Sequence, residues 1–217
     1  MIKAVIFDLD GTLTDTLDDL ADAVNYVLSR YHYMQRTRDE IRSFVGNGLY
    51  MLMRRSLPAD VSDEIATECT ALLSSYYKEN SLVKTKPYDG IVALLEKLNM
   101  DGILCAVATN KREAAAQEIC AHFFGSLLCS VKGDNSERPL KPDRAVIDDL
   151  LTEMNVNPEE TLYVGDSEAD AYTAQNAGLT AIGVIWGFRT RKQLESVGIS
   201  LFAEKSDDIY NIVKNYG

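Results

Sequence analysis

The sequence has 217 residues, of which 46% are hydrophobic and 25% are charged, and its net charge at pH 7 is −11. This balance is typical of a soluble globular protein with a substantial core, and no apolar stretch approaches the ~20 residues that a membrane-spanning helix needs. The acidic excess argues against nucleic acid or an anionic membrane as a partner. It does not exclude a phosphate substrate, because a bound cation can outweigh the global charge.

Four scattered cysteines form no Cys-x-x-Cys pair. They favour reduced, buried thiols in a cytosolic protein. The N-terminus leads directly into an apolar run without a charged leader. We therefore expect a cytoplasmic location, while the sequence leaves the oligomeric state undetermined.

Short apolar runs alternate with helical patterns over most of the chain. The predicted strands span residues 4–7, 103–108, 126–131, 161–164 and 180–185. The predicted helices between them span residues 90–99, 113–122, 143–154 and 169–177, with Pro142 suited to a first helical turn. Such alternation indicates βαβ units and a parallel sheet. The predicted fold class is α/β, with a doubly wound, Rossmann-like parallel-sheet core.

Residues 16–84 break this alternation. Helical patterns follow one another over residues 17–31, 38–44, 48–57 and 61–80, and they are interrupted by Pro58 and by the turn Gly46-Asn47-Gly48. A helical block between the first strand and the rest of the sheet predicts an inserted domain. We expect an all-helical cap at 16–84 and an α/β core formed by residues 1–15 and 85–217.

Polar side chains follow several of the predicted strands. Ligands of open parallel sheets gather at the carboxyl ends of the strands, so we expect these side chains to lie close together. The candidate residues are Asp8, Asp10 and Gly11 after the first strand, Thr109 and Asn110 after the second, Lys141 in the loop before the helix at 143, and Asp166, Ser167 and Asp170 after the fourth.

The first of these segments indicates phosphoryl transfer. Asp8 and Asp10 stand two residues apart at the end of a buried strand, where paired carboxylates favour a divalent cation and a phosphoryl group. Gly11 allows a sharp turn beneath a ligand. Each motif alone has a structural alternative. Residues 8–12 could form a solvated turn with a helix cap, Thr109-Asn110 an ordinary helix cap, and Lys141 part of a solvated loop. Gly165-Asp166-Ser167 could be a capped strand-to-helix turn, and Asp170 a favourable acid in a first helical turn.

The four motifs together resemble the haloacid dehalogenase-like phosphohydrolases. They are, in the order typical of that family, Asp8-Leu9-Asp10-Gly11-Thr12-Leu13, Thr109-Asn110, Lys141-Pro142, and Gly165-Asp166-Ser167 with Asp170. The helical insertion resembles the family's small cap. Its segment Phe44-Val45-Gly46-Asn47-Gly48, with the later Pro87-Tyr88, resembles most closely the phosphoglycolate phosphatase branch.

The resemblance implies a role for each motif. Asp8 would be the nucleophile that forms an aspartyl-phosphate, and Asp10 the general acid and base. Mg²⁺ would be held by the Asp8 carboxylate, the Asp10 backbone carbonyl and Asp166. The Thr109 hydroxyl, the Asn110 backbone N–H and Lys141 would bind phosphate. Gly11, Ser167 and Asp170 would support the site, with Asp170 reaching the metal through water or orienting Lys141. Gly46, Asn47 and Gly48 would form a cap loop over the substrate.

We therefore expect a Mg²⁺-dependent phosphomonoesterase acting on a small phosphorylated metabolite, with 2-phosphoglycolate as the leading candidate. Pyrophosphatase, nucleotidase and sugar-phosphate phosphatase activities remain alternatives, because they use the same core with a different cap. A phosphosugar mutase is disfavoured because residues 17–20 contain no histidine. A dehalogenase is disfavoured by Asp10, and a non-catalytic phosphate-binding module by the retained acids and Lys141.

Other conspicuous residues favour structural roles. The loop Trp186-Gly187-Phe188-Arg189 after the last predicted strand indicates packing aromatics with a solvated arginine, and a position of Arg189 near the site is the alternative. Arg54 and Arg55 indicate a solvated helix face, with contact to a substrate carboxylate as the alternative. His32 and His122 have no partner pattern and are expected to lie at the surface or to serve in packing.

Overall fold

The computed structural model describes residues 1–216 of the chain. Within this range the strands are β1 (Ala4–Phe7), β2 (Thr14–Asp15), β3 (Lys86–Pro87), β4 (Leu104–Arg112), β5 (Ser130–Asp134), β6 (Thr161–Gly165), β7 (Thr180–Val184) and β8 (Leu201–Ala203). The α-helices are α1 (Leu17–Arg30), α2 (Arg38–Phe44), α3 (Gly48–Ser56), α4 (Asp63–Asn80), α5 (Ile91–Met100), α6 (Glu113–Phe124), α7 (Ala145–Met154), α8 (Glu168–Ala177), α9 (Arg191–Ser196) and α10 (Ser206–Asn215).

The chain divides into two compact units. The larger unit contains Met1–Thr14 and residues 87–216, and the smaller unit contains Asp15–Lys86. The boundaries between the two units therefore fall after Thr14 and after Lys86, whereas the sequence pattern predicts them after residues 15 and 84. Strands β2 and β3, which pair with each other, occupy these two crossing points.

The larger unit is built on a six-stranded parallel sheet. Its strand order is β5-β4-β1-β6-β7-β8, so β1 lies between β4 and β6. Phe7 at the end of β1 is in register with Val107 on one side and Val164 on the other. All four residues of β1 are fully buried, as expected for a central strand covered on both faces. The predicted α/β fold class is confirmed.

Helices cover both faces of this sheet. One face packs against α7 and α8 through a core cluster that includes Ile6, Ala106 and Tyr163 from the sheet and Leu150 and Ala174 from the helices. Side chains alternate along a strand, so the neighbours of Ile6 in β1 face the opposite side. There α5 contacts both β4 and α10. This arrangement places the carboxyl ends of the strands at one open edge.

Most predicted boundaries agree with the structure to within two residues, and three regions differ more clearly. The second strand continues past residue 108 to Arg112, with a register shift against β5. The predicted strand 126–131 is wrong in its first half: Gly125 has φ +52° and ends α6 in a short 3₁₀ turn, so β5 begins at Ser130. Pro142 lies outside a helix, in a turn closed by the Asp143 N–H on the Leu140 carbonyl at 3.0 Å.

The C-terminal elements β8, α9 and α10 were not predicted. Strand β8 has three residues, which is too short for an alternating pattern to stand out. Helix α10 is amphipathic and buries Ile209 and Val213, so its helical spacing was a usable signal.

The smaller unit consists of α1 to α4. Helix α4 contacts α1 and α3, and α2 contacts α1 and α3. The rings of Tyr26 and Tyr76 stack with their centroids 4.1 Å apart. Asp19 is buried and accepts backbone N–H bonds from Lys84 at 3.0 Å and Thr85 at 2.8 Å, so the end of the unit is fixed to its first helix. Among residues 1–216, none of the helices is long and apolar enough to cross a bilayer.

Candidate active site

Lys141 lies at the centre of the site. Its Nζ donates to Asp8 Oδ1 at 2.8 Å, to Asp170 Oδ1 at 2.7 Å and to the Ala108 carbonyl at 2.9 Å, and it lies 3.0 Å from the Tyr163 hydroxyl. Only 3% of the lysine side chain is exposed. These partners come from the residue that follows β1 and from β4, β6 and α8, so one ammonium group joins four segments at the carboxyl edge of the sheet.

The Asn110 side chain fixes the Lys141 backbone. Asn110 Oδ1 accepts the Lys141 N–H at 2.8 Å, and Asn110 Nδ2 donates to the Lys141 carbonyl at 3.1 Å. The adjacent Thr109 hydroxyl is buried and accepts the Lys111 N–H at 3.3 Å. The structure thus brings the other two predicted phosphate-binding residues, Thr109 and Asn110, to the same cavity as Lys141 and gives each side chain a positioning contact. Their binding of phosphate stays a prediction.

Three buried carboxylates form a candidate metal site. Oxygen atoms of Asp8, Asp166 and Asp170 lie within 4.8 Å of one another. Lys141 balances one of the three negative charges, which leaves two for a cation to balance. Hard oxygen ligands with this residual charge fit Mg²⁺.

Asp166 is held on both of its oxygens. The Thr12 hydroxyl donates to Oδ1 at 3.3 Å, and the backbone N–H of Phe188 donates to Oδ2 at 2.6 Å. Asp166 is fully buried. Its carboxylate is therefore fixed in orientation by the loops that follow β1 and β7.

Asp170 supports its neighbours in the same way. Its Oδ2 accepts from the Ser167 N–H at 3.0 Å, from the Ser167 hydroxyl at 2.6 Å and from the Asp166 N–H at 3.2 Å. Its Oδ1 accepts from Lys141 and, at 2.9 Å, from the Tyr163 hydroxyl. Ser167 and Asp170 also form the capping box that starts α8. This full set of partners agrees with the expected supporting role, which stays a prediction.

Burial and neighbouring charges shift the pKa values of the three carboxyls in different directions. Burial raises the pKa of the Asp8 carboxyl to about 7, against the opposing effect of Lys141. Burial, followed by the charges of Asp170 and Asp8, raises the pKa of Asp166 well above its usual range. Burial also acts to raise the pKa of Asp170, but Lys141, Ser167 and Tyr163 together lower it. Two of the three carboxyls therefore need further positive charge to stay ionised, which a metal ion provides.

Asp10 is held by a second buried lysine. Lys111 Nζ lies 2.8 Å from Asp10 Oδ1 and 2.9 Å from Asp10 Oδ2. The Asp10 carboxylate is not in the group formed by Asp8, Asp166 and Asp170, which leaves its backbone carbonyl as the predicted metal ligand. Metal binding by Asp10 stays a prediction.

Two glycines allow the backbone to approach Asp166. Gly11 has φ +87°, and a Cβ built there would overlap the Asp166 carboxylate. A Cβ at Gly187 would meet the same carboxylate and the Gly11 carbonyl. A side chain at either position would displace Asp166.

The loop after β7 is more closely bound than predicted. Trp186 Nε1 donates to the Thr12 carbonyl at 3.1 Å. Arg189 pairs with Glu168 at 2.8 Å, and 10% of its side chain is exposed. The expectation of a solvated arginine is wrong, because Glu168 at the start of α8 lies beside it.

The cap residues form contacts within the smaller unit. Gly46 and Gly48 have φ values of +124° and +79°. Arg55 donates to Asn47 Oδ1 at 2.8 Å, so it stabilises the predicted cap loop. Arg54 donates to the backbone carbonyls of residues 58 and 59. The role of Gly46, Asn47 and Gly48 in substrate binding stays a prediction.

Sequence reasoning missed three contributors to the site. Lys111 directly follows Thr109-Asn110 at the end of the second strand, and a lysine at that edge of the sheet is a usable signal for a partner of Asp8 or Asp10. Tyr163 was hidden in an apolar run that read as core. The Phe188 N–H has no signal, because every residue except proline provides one. His32 and His122 are exposed, as expected.

Comparison with known proteins identifies the family. The family model for haloacid dehalogenase-like hydrolases matches residues 5–184. The chain belongs to the haloacid dehalogenase-like hydrolase family. The matched range contains every residue of the Lys141 network, from Asp8 to Asp170.

Relatives of this haloacid dehalogenase-like hydrolase include named phosphatases. It is 33% identical over 213 residues to a phosphoglycolate phosphatase from Pseudomonas putida, covering 92% of this chain and 75% of the relative. It is 30% identical over 219 residues to a phosphoglycolate phosphatase from Mannheimia succiniciproducens, covering 97% and 98%. The solved structure of a candidate phosphoglycolate phosphatase from Lactobacillus delbrueckii subsp. bulgaricus matches with a TM-score of 0.92 at 26% identity, covering 97% and 98%.

Proposed function

We propose that this phosphatase hydrolyses small phosphate monoesters at Asp8, and that 2-phosphoglycolate is its leading substrate candidate. The observation that carries the proposal is the placement of Asp8 at the end of the central strand, 2.8 Å from Lys141 and grouped with Asp166 and Asp170. Phosphatase activity follows from family membership and from the named relatives. The residue roles below are our proposals.

Asp8 would act as the nucleophile. Its carboxylate would attack phosphorus, the bond to the ester oxygen would break, and an aspartyl-phosphate would form on Asp8. Lys141 favours the ionised, attacking form because it donates directly to Oδ1. Its hydrogen bonds to Ala108 and Asp170 keep the Lys141 ammonium in place at the edge of the sheet.

Asp10 would handle the protons. In the first step it would donate a proton to the leaving ester oxygen. In the second it would accept a proton from the water that attacks the aspartyl-phosphate and so releases inorganic phosphate and regenerates Asp8. Its position two residues from the nucleophile, on the turn made at Gly11, fits a group that serves both steps.

The carboxylates of Asp8 and Asp166 and the backbone carbonyl of Asp10 would hold Mg²⁺. When bound, the ion supplies the positive charge that lets an anionic phosphate approach an anionic nucleophile. The Thr109 hydroxyl, the Asn110 N–H and the Lys141 ammonium would bind phosphate oxygens. Asp170 and Ser167 would keep Lys141 and Asp166 in place.

The choice of 2-phosphoglycolate is supported by the named relatives and by the helical insertion. The cap loop Gly46-Asn47-Gly48 is a glycine-rich turn in which Gly46 and Gly48 have positive φ values, a backbone form that allows close approach to a ligand. Pyrophosphate, nucleotides and sugar phosphates are the competing substrates, because the core chemistry is the same for all of them.

The test is Mg²⁺-dependent phosphate release from 2-phosphoglycolate, a sugar phosphate, a nucleotide and pyrophosphate. A kcat/KM for 2-phosphoglycolate about 100-fold above the others, or roughly 2.7 kcal/mol of discrimination, would support the substrate assignment. A flat profile, or another dominant substrate, would contradict it.

Two variants test the site itself. Asp8→Asn should abolish release from every substrate, whereas Asp148→Asn, which alters an exposed aspartate paired with Arg144, should behave as wild type. Chelation by EDTA should stop the reaction and added Mg²⁺ should restore it. Turnover retained in Asp8→Asn would refute the nucleophile.

A further inference from the structure

The proposed mechanism leaves one buried cation of the site without a role. Lys111 Nζ lies 2.8 and 2.9 Å from the two oxygens of Asp10, and the exposed fractions of the two side chains are 5% and 15%. A lysine is almost never buried unless it is paired, and taking both charges out of water costs several kcal/mol per ion. A surface position for Lys111 would avoid this cost.

The backbone of Lys111 is fixed as firmly as its side chain. Its N–H donates to the Thr109 hydroxyl at 3.3 Å. Gly133 of β5 passes so close that a Cβ there would meet the Lys111 carbonyl. Lys111 also lies where the register between β4 and β5 shifts. The backbone that carries Lys111 is therefore held between the Thr109 hydroxyl and strand β5.

Contact with both oxygens constrains the carboxylate in a particular way. An ammonium placed between the two oxygens holds the end of the side chain at a set distance and fixes the direction in which the carboxylate points. A displacement of 1 Å in a reacting group can cost about 100-fold in rate. The first motif thus contains two carboxylates, each with its own buried lysine: Lys141 contacts Asp8 and Lys111 contacts Asp10.

We propose that Lys111 is a positioning residue that holds the Asp10 side chain in place for proton transfer to the leaving oxygen. Asp10 takes up this proton from solvent on one of its oxygens, while the other oxygen keeps its contact with Lys111, and the proton then passes to the leaving oxygen. This inference rests on the proposed function, in which Asp10 is the general acid. The lysine need not touch the substrate, because its effect passes through the orientation of Asp10.

The leaving group of the substrate tests this role. The alkoxide released from 2-phosphoglycolate needs a proton as it departs, whereas the phenolate released from p-nitrophenyl phosphate is stable without one. Loss of a well-placed acid should therefore reduce kcat/KM for the alkyl ester and leave the aryl ester little changed. A general defect in folding, metal binding or phosphate binding would reduce both.

The experiment compares Lys111→Met, Lys111→Gln and Lys111→Arg in the Mg²⁺-loaded full chain. Lys111→Met should lower kcat/KM for the alkyl ester by about 10- to 100-fold, a part of the 10²- to 10⁴-fold that general acid–base catalysis contributes. Lys111→Arg should recover part of the loss. In an Asp10→Asn background, Lys111→Met should cause no further loss on the alkyl ester.

A control and a second variant keep the result interpretable. Lys132→Met removes a lysine from the neighbouring strand, where it pairs with Glu153 at 2.7 Å, and should match wild type on both esters. Lys111→Gln retains a hydrogen-bond donor, so it serves if Lys111→Met does not fold. Thermal unfolding should confirm that each assayed variant is folded.

If the Lys111 variants lose kcat/KM equally with both esters, or lose none with the alkyl ester, the proposed role of Lys111 is overturned while the phosphatase assignment stays intact. An increase in kcat/KM with the alkyl ester would also overturn it, because the lysine would then be holding Asp10 away from its productive position. A wild-type chain that hydrolyses neither ester with Mg²⁺ would instead refute the proposed function, and this inference with it.

Discussion

Replacing Tyr163 by phenylalanine would test whether the Lys141 network contributes to stability. The substitution removes one oxygen atom, which lies 3.0 Å from Lys141 Nζ, 2.9 Å from Asp170 Oδ1 and 3.3 Å from the Ala108 carbonyl. Tyr163 is fully buried, so water cannot replace the lost contacts.

The size of the effect follows from what each partner retains. Lys141 keeps Asp8, Asp170 and the Ala108 carbonyl, which are enough acceptors for its three N–H groups. Asp170 loses one hydrogen bond at Oδ1. A hydrogen bond to a charged group contributes about 1.5–3 kcal/mol, so we expect a loss of about 2 kcal/mol. For a chain of this length, that corresponds to a fall of about 4–8 °C in the melting temperature.

Thermal and urea unfolding in EDTA would measure this loss without a contribution from bound metal. Tyr210→Phe is a matched control, because it removes a hydroxyl that donates to Asp101 at 2.8 Å at an exposed position, and its effect should be clearly smaller. A loss below about 0.5 kcal/mol in Tyr163→Phe, the level of ordinary surface substitutions, would refute the reasoning.

Three further substitutions or probes have defined outcomes. Gly187→Ala would push a Cβ against the Asp166 carboxylate, so Mg²⁺ affinity measured by calorimetry should fall about 10- to 100-fold; an unchanged Kd would contradict the positioning of Asp166. Asn110→Ala would remove both hydrogen bonds to the Lys141 backbone, with an expected cost of about 2 kcal/mol and a fall in kcat rather than a rise in KM. Unchanged melting and kcat would show that the Lys141 loop does not need this side chain. Among the four cysteines, the exposed Cys129 alone should react rapidly with a thiol reagent in the folded protein, since the other three are buried; rapid reaction of a second thiol would contradict the structure.

Much of the fold could be predicted from periodicity, and the candidate site from the strand ends together with the family motifs. The fully apolar run of residues 4–7 indicates a central strand, and parallel strands bring their carboxyl ends to one edge. This reasoning alone left a solvated-loop alternative for Lys141, and the resemblance to the family was needed to expect it in the site; the structure joins Lys141 to Asp8 and Asp170 through contacts of 2.7–2.8 Å.

The parts that could not be predicted depend on three-dimensional neighbours. Tyr163 fits an apolar strand by sequence, and only its place beside β1 brings its hydroxyl to Lys141. The Phe188 N–H that holds Asp166 is a backbone group, which no residue type identifies. Arg189 looked like a solvated loop arginine because its partner Glu168 lies 21 positions earlier in the chain.

Strand β1 is the first strand to be synthesised, but its two partner strands follow much later in the chain. Its register pairs Ala4 with Leu104 on one side and with Thr161 on the other, and the whole helical unit of residues 15–86 lies between β1 and either partner. During translation, the helical unit can therefore fold while β1 still has two unpaired edges. Unpaired apolar strands associate with other chains, so a ribosome stalled before residue 161 would leave β1 without its partner β6 and one edge of this apolar strand unpaired. Protection of the nascent chain by a chaperone would matter most in that interval.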